Sequence, residues 1–359
     1  MLQTLTEFKR SSCINQSINE DLILITIKRG GIKLKITVQY ENIENTVLGA
    51  EIKTEAERYI QHLESQFARR DFSQPIKTSL VDHILADCLP MILELAPHVG
   101  ILNHSLQDLC QAVCHDLEVV GERGRLQARH KCSPFQEPLD DISPLPIQEL
   151  PHDCQDIPEI LASQICIEAD GTAPIEWTTA GKVSMIDGRY AWFKPRDFGR
   201  EEDFLRELRL LKVIKDTAYL EDHDVRYSQL LGVVTASFSN DLCAVVGLLI
   251  SWIPPAPDGP HLKSQSARQI RNSHTKWRQQ VTKAVSFLHD HGICWGDVNV
   301  CNIVIDNDLN AWVIDFGGSN NAEFVDDDFA ETTEGDWQGI RRIFDEWVPQ
   351  RISSASDLG

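Results

Sequence analysis

The chain has 359 residues, of which 42% are hydrophobic and 25% are charged. This composition is typical of a folded globular protein with two or three domains and excludes a disordered or membrane class. The formal net charge of −20 would repel a phosphate backbone, and no Lys/Arg-rich run offsets it, so we expect no nucleic-acid partner.

Three features bear on cellular location. The N-terminal residues MLQTLTEFKR lack the basic and apolar regions of a secretory signal. The longest apolar run, LCAVVGLLISWI, is too short to cross a bilayer. Ten cysteines are scattered without paired metal-ligand spacing, which favours free thiols in a reducing compartment. The sequence therefore predicts an intracellular protein, cytoplasmic or nuclear, with no membrane partner.

Residues 1–128 predict a small α+β region. Apolar and polar residues alternate around Gly30 and Gly31, a pattern typical of a β-hairpin. Apolar residues then recur at helical spacing over residues 52–67, 80–96 and 106–117, which predicts three helices. No constellation in this region points to catalysis, so its role stays open.

Residues 129–157 are rich in proline and acidic side chains and show no sustained periodicity, so we interpret them as a linker. A second domain then begins near residue 158. Its first part combines the strand-like segments QICIEAD, KVSMIDG, RYAWFK, QLLGVVTASF and DLCAVVGLLI with one helical pattern, EEDFLRELRLLKVIK. After two prolines, SHTKWRQQVTKAVSFLHDHG shows one apolar face and predicts a helix that ends near Gly292.

The stretch after that helix carries the residues that point to chemistry. WGDVNVCN places Asn302 five residues after Asp297, and IDFGG places Asp315 thirteen residues after Asn302, with a short hairpin between. Phosphoryl transfer needs a carboxylate to orient the attacking hydroxyl and oxygen ligands that hold Mg²⁺ against a triphosphate. This spacing lets Asp297 face an acceptor while Asn302 and Asp315 meet one ion.

These motifs, in this order, resemble the protein-kinase-like superfamily. The resemblance implies an α+β, two-lobed fold with an N-lobe at 158–252, a truncated C-lobe at 253–350 and a tail at 351–359. It also implies ATP and Mg as cofactors. Asp297 would be the catalytic base, with Asn299 beside the transferred phosphate, and Asn302 and Asp315 would be the metal ligands.

Upstream segments extend the resemblance. Lys194 in YAWFK resembles the lysine that pairs with the α- and β-phosphates, and Glu207 in FLRELRLL resembles the helix glutamate that holds that lysine. LLISWIPP would be the hinge that reads adenine through its backbone. The hinge residues implied are Leu249, Ile250, Ser251 and Trp252.

Four features depart from the protein-kinase pattern. No G-x-G-x-x-G loop is present, Trp295 and Gly296 replace the usual His-Arg, and Asn299 replaces a lysine or histidine. The segment after Gly318 is short and lacks Ala-Pro-Glu. The Gly-Asp version of the loop is similar to that of aminoglycoside and choline phosphotransferases and of fungal protein-kinase-domain proteins.

We interpret the chain as an ATP- and Mg-dependent phosphotransferase acting on a hydroxyl acceptor, with protein serine or threonine as the preferred acceptor. One alternative is a small-molecule kinase of the aminoglycoside or choline type, favoured by Gly296-Asp297 and the missing Ala-Pro-Glu. The other is a pseudokinase that acts as a binding or scaffold module, favoured by Asn299 and the missing glycine-rich loop.

Overall fold

The computed structural model describes residues 8, 13–29, 32–69, 80–97, 104–138, 143–167, 181–218, 225–238, 242–257, 259–318 and 320–351. The chain divides into two compact units. The first comprises residues 1–139, 165–177 and 238–241, and the second comprises residues 140–164, 178–237 and 242–359. Each mixes helices with strands, in agreement with the predicted α+β class.

The first unit contains a six-stranded sheet in the order β1-β2-β3-β5-β6, with β7 also paired to β5. All of these pairs are antiparallel except β3 with β5. Strands are numbered along the chain; those of this unit are β1 (Cys13–Ile18), β2 (Leu22–Arg29), β3 (Ile32–Gln39), β4 (His104–Ser105), β5 (Gln111–Glu122), β6 (Arg125–His130), β7 (Phe135–Pro138) and β10 (Ile165–Ile167). The pairing of β2 with β3 confirms the predicted hairpin, whose Gly30 and Gly31 lie outside the described residues.

Helices complete this unit and bury an apolar core with one face of the sheet. They are α1 (Tyr40–Ile43), α2 (Val47–Arg69), α3 (Leu80–Leu95) and α4 (Leu106–Cys110). Ile25, Ile36 and Leu117 from the sheet and Ile52 and Ile84 from the helices have at most 1% of their surface exposed. The predicted helices near 52–67 and 80–96 are confirmed.

The prediction of a helix over residues 106–117 is wrong beyond its first turn. Ser105 and Asp108 form a capping box that starts α4, but the helix ends at Cys110 and β5 begins at Gln111. Cys110, Cys114 and Leu117 recur at the i, i+4, i+7 spacing of a helix, so the local pattern favoured a helix. Pairing with β3 and β6 on both sides decides for the strand.

The second unit begins with a sheet in the order β11-β12-β14-β13-β9, with β8 paired to β14. Its strands are β8 (Leu145–Pro146), β9 (Glu159–Leu161), β11 (Gly181–Met185), β12 (Tyr190–Pro195), β13 (Leu230–Phe238) and β14 (Leu242–Ser251). Helix α5 (Glu201–Ala218) follows β12, and its Phe204, Leu208 and Leu211 are buried in the core of the unit. This helix matches the pattern predicted from EEDFLRELRLLKVIK.

The segment predicted as a linker, residues 129–157, contains strand residues and buried side chains. Its first two residues end β6, and β7 also lies within it. Four apolar side chains farther along are buried in the core of the second unit: Leu145, Leu150, Cys154 and Ile157. Proline and acidic residues marked the segment as irregular, but spaced single apolar residues are enough to anchor such a chain.

The remainder of the second unit is mainly helical. Its elements are α6 (Gln265–Gln269), α7 (His274–Asp290), β15 (Ile303–Ile305), β16 (Ala311–Val313), α8 (Thr333–Arg341) and a π-helical segment (Arg342–Trp347). The apolar face predicted for α7 is buried through Trp277, Val281 and Val285. The hairpin of β15 and β16 separates the two sequence motifs, as predicted. Among the described residues, no helix has the length and apolar content needed to cross a membrane.

Candidate active site

Lys194 connects two acidic side chains from different elements. Strand β12 carries this lysine, and its Nζ lies 2.6 Å from Oε2 of Glu207 on α5 and 2.7 Å from Oδ1 of Asp315. Glu207 is only 3% exposed, although it lies on a helix rich in charged residues. The structure thus brings together three of the residues that the sequence analysis singled out.

The charge of Lys194 is stabilised by these neighbours. Burial by itself lowers the pKa of the ammonium group, but the charges of Glu207 and Asp315 outweigh it, and the pKa is raised overall. Lys194 therefore stays protonated and presents a fixed positive charge in a partly buried position. Such a charge is suited to an anionic ligand.

Asp315 is held by its backbone as well as by Lys194. It has a positive φ of 63°, which is uncommon for a residue other than glycine. The Trp295 indole Nε1 donates hydrogen bonds to the carbonyl oxygens of Ile314, at 3.0 Å, and Asp315, at 3.1 Å. Phe316 is fully buried, and its N–H donates to Oε1 of Glu207 at 3.4 Å. These contacts fix the carboxylate of Asp315 beside the lysine.

The loop around Asp297 forms a compact hydrogen-bond network. Nδ2 of Asn302 donates to Oδ2 of Asp297 at 2.8 Å, and Nδ2 of Asn299 donates to Oδ1 at 3.0 Å. Oδ1 of Asn299 accepts from the N–H groups of Cys301, at 2.8 Å, and Asn302, at 3.2 Å. Asn299 therefore shapes the loop with both ends of its amide and orients the Asp297 carboxylate.

The pKa of Asp297 is raised above its ordinary value. Burial is the largest cause, and the negative charge of Asp315 adds to it, while the hydrogen bonds from Asn299 and Asn302 oppose it. A carboxylate with a raised pKa accepts a proton more readily than one with an ordinary pKa.

A backbone hydrogen bond joins this loop to the segment that carries Asp315. The Asn302 carbonyl accepts from the Ile314 N–H at 3.1 Å, which brings the two segments side by side.

Asp336 anchors this loop from α8 and was not predicted as a site residue. It is 1% exposed, and its carboxylate accepts from the N–H groups of Trp295, at 2.8 Å, and Gly296, at 2.9 Å. Its Oδ2 also lies 2.8 Å from Nε2 of His289 on α7. In the sequence, an acidic residue in the first turn of a helix is typical of a solvated position, so no local signal identified it.

Arg206, also on α5, is a second residue that the sequence analysis missed. Its guanidinium forms an ion pair with Glu331. Gly296 and Gly318 have φ values of 80° and 78°, and a Cβ at either position would meet the Arg206 guanidinium. Glycine at these two positions thus permits both the backbone conformation and the close approach of the arginine.

A cavity of about 430 Å³ lies next to the lysine and its two acidic partners. This volume falls within the range of roughly 300 to 1,000 Å³ that is typical of small-molecule sites. Its wall is mainly apolar away from Lys194 and includes Ile250, Ser251 and Trp252 of the predicted hinge. The indoles of Trp192 and Trp252 stack with centroids 5.6 Å apart and ring planes 9° apart.

Leu249, the first predicted hinge residue, is not part of the cavity wall. It is fully buried and pairs with Phe193 on β12, whereas Ile250 pairs with Trp192. Successive side chains of a strand point to opposite faces, so Ile250 and Trp192 line the cavity while Leu249 points to the opposite face.

The predicted site residues therefore fall into three groups. Lys194, Glu207, Ile250, Ser251, Trp252 and Asp315 line the cavity. Asp297, Asn299 and Asn302 lie in the adjacent loop, whose Cys301 reaches the cavity wall. Leu249 lies on the opposite face of β14.

Comparison with known proteins gives a partial similarity. No protein-family model matches the chain. The chain is 26% identical over 155 residues to a protein kinase C of Drosophila melanogaster, a match that covers 39% of this chain and 21% of that protein. The matched stretch thus spans about a fifth of the relative, and it indicates a distant, kinase-like relationship.

Proposed function

We propose that the chain is an ATP- and Mg-dependent phosphotransferase, whose second unit is a two-lobed protein-kinase-like domain with a truncated C-lobe. The observation that carries the proposal is the position of the Lys194 ammonium, between Glu207 and Asp315 at one end of a ligand-sized cavity. Three separate elements converge on this lysine. A surface lysine would not need two carboxylates from distant parts of the chain.

In this proposal, Lys194 binds the phosphates of ATP. Its positive charge is buried enough to interact strongly with an anion, and Glu207 keeps the side chain in place when Asp315 turns to a metal ion. The base would occupy the apolar part of the cavity, against Trp192 and the hinge residues Ile250 to Trp252. Aromatic and apolar walls are common in sites that hold a flat ring.

Asn302 and Asp315 fit the chemistry of a magnesium site. Mg²⁺ prefers oxygen ligands, and these two residues supply an amide oxygen and a carboxylate from neighbouring segments. Among the described residues, the side-chain hydrogen bonds of Asn302 use its Nδ2, which leaves Oδ1 available as a ligand. A bound Mg²⁺ would neutralise part of the charge on the triphosphate.

Asp297 is the proposed base. Its carboxylate is held by Asn299 and Asn302, so its oxygens have a fixed direction before a substrate arrives. Its raised pKa suits the acceptance of a hydroxyl proton as the oxygen attacks phosphorus. Asn299 contributes no charge to the transition state and acts by orienting Asp297.

We propose protein serine or threonine as the acceptor, and the partial similarity to a protein kinase C supports this choice over a small molecule. A small-molecule kinase remains the alternative suggested by Gly296 and Asp297. A phosphate-transfer assay with both classes of acceptor separates the two.

The test combines nucleotide binding with turnover. Calorimetric titration of ATP should show saturable binding that requires Mg²⁺ and is lost in Asp315→Ala. Asp297→Asn should retain ATP binding and lose at least about 100-fold in turnover, because proton transfer loses its acceptor. Asp326→Asn is the matched control, since it removes a carboxylate that is exposed and pairs with Arg342.

Transfer of labelled phosphate would be followed with a serine/threonine peptide library in one arm and with aminoglycosides and choline in the other. Labelling of peptides supports the protein acceptor, and labelling of small molecules alone supports the alternative enzyme. ATP binding without transfer in any arm favours the pseudokinase. Absence of ATP binding by the wild-type chain would refute the proposed function altogether.

A further inference from the structure

The hydroxyl of Ser228 is a buried polar group that the proposed mechanism does not use. Ser228 is 1% exposed and lines the cavity. Its Oγ has no hydrogen-bond partner among the described residues. A buried hydroxyl without a partner destabilises the fold, so native proteins rarely keep one.

Backbone hydrogen bonds fix Ser228 at the inner wall of the cavity. Its N–H donates to the Val313 carbonyl at 3.1 Å, beside the cavity residue Ile314. The next residue, Gln229, donates its N–H to Oγ of Ser251 at 2.9 Å and accepts from the Ser251 N–H at 2.8 Å. Ser228 thus lies between the end of β14 and the end of β16.

The β12–β14 register separates this position from the lysine. Leu248 pairs with Lys194, whereas Ser251, the neighbour of Gln229, pairs with Ala191. The two levels are therefore three residue steps apart, which corresponds to about 10 Å along β14. A ligand whose phosphates contact Lys194 would reach the level of Ser251 with its base.

We propose that Ser228 Oγ hydrogen-bonds the substituent at position 6 of the purine base, and so contributes to nucleotide selectivity. This inference rests on the proposed function. The sugar, which carries the phosphates, attaches to N9 of the five-membered ring of the purine, so the edge that bears the 6-substituent points away from the charged end. A hydroxyl can accept from the 6-amino group of adenine, and the apolar surroundings of Ile250 and Ile314 strengthen such a bond.

The test is a double-mutant cycle between Ser228 and the 6-amino group. ATP and purine riboside triphosphate, which has hydrogen at position 6, would each be titrated into the wild type and into Ser228→Ala, and the binding of each nucleotide would be measured. We expect Ser228→Ala to weaken ATP binding about 5- to 10-fold and to change binding of the analogue less than about twofold. Ser228→Cys keeps a similar volume with a weaker hydrogen-bonding group and should behave like the alanine variant.

Thr235→Val is the matched control. Thr235 is also 1% exposed with an unpartnered hydroxyl among the described residues, but it is not part of the cavity wall. Both nucleotides should bind this variant as they bind the wild type. Unchanged ATP binding in both Ser228 variants, or equal losses for the two nucleotides, would overturn the assignment. Failure of the wild type to bind ATP would instead refute the proposed function, so the two failures are distinguishable.

Discussion

Replacement of Asp336 by alanine should destabilise the second unit and also displace the loop that carries Asp297, the proposed base. Asp336 is 1% exposed and accepts hydrogen bonds from the N–H groups of Trp295 and Gly296. Gly296 directly precedes Asp297, so the same carboxylate that stabilises the fold also sets the position of the proposed base.

The size of the effect follows from the two donors. Each buried N–H that loses its partner costs about 1–3 kcal/mol, and bonds to a carboxylate lie at the upper end of that range. The contact with His289 is lost as well. We therefore expect Asp336→Ala to lower the free energy of unfolding by about 3–5 kcal/mol. A displacement of Asp297 by about 1 Å would reduce kcat/KM about 100-fold.

Urea unfolding followed by tryptophan fluorescence is the appropriate assay. Seven of the eight tryptophans lie at positions 192 to 347, so their emission reports on the second unit rather than the first. Asp345→Ala is the control, because Asp345 pairs with Arg278 at the surface. Exposed ion pairs contribute about 0–1 kcal/mol, so the control should unfold close to the wild type.

A decrease of less than about 1 kcal/mol in the free energy of unfolding of Asp336→Ala, with an unchanged urea dependence, would refute this anchoring role of Asp336. Asp336→Asn refines the result, because its amide oxygen can still accept from one of the two N–H groups. It should fall between the wild type and the alanine variant.

Three further predictions concern the same site. Glu207→Ala should lower kcat/KM about 10- to 100-fold, since the cavity lysine loses its positioning partner, and steady-state kinetics within twofold of wild type would contradict this. Asn299→Ala should move the acid limb of the kcat/KM profile to higher pH. The amide of Asn299 lowers the pKa of Asp297, so its removal raises that pKa, and the proposed transfer requires the ionised carboxylate; an unshifted limb would exclude this role. Gly318→Ala should lower the free energy of unfolding by about 1–3 kcal/mol in urea titration, because φ is 78° and a Cβ would collide with Arg206; a neutral change would argue against this conformation.

Local patterns predicted many individual elements of the fold. The β2–β3 hairpin, the helices α3, α5 and α7 and the hairpin between the motifs follow from periodicity and turn residues, which act over a few positions. The helix predicted over residues 106–117 and the linker predicted over residues 129–157 differ from the structure because contacts distant in sequence decide these segments. Residues 111–117 pair with β3, and part of the segment 129–157 packs into the core of the second unit.

The candidate site shows the same division. The spacing of Asp297, Asn302 and Asp315 could be recognised because the loop and hairpin that hold them are contiguous in sequence. By contrast, Lys194 and Asp315 are 121 residues apart, and their 2.7 Å contact exists only in the folded chain. The resemblance to kinases predicted that both would serve one site, but no local signal in the residues did.

The sequence by itself determined the chemical groups available for the proposed phosphoryl transfer and the local elements that carry them. Only the tertiary structure decided which other polar groups became buried beside them. Asp336 anchors a loop 40 residues earlier, Ser228 faces the cavity, and Leu249 turns away from it. The physical reason is that burial depends on packing among distant segments, whereas the local pattern records only which face of a strand or helix a residue occupies.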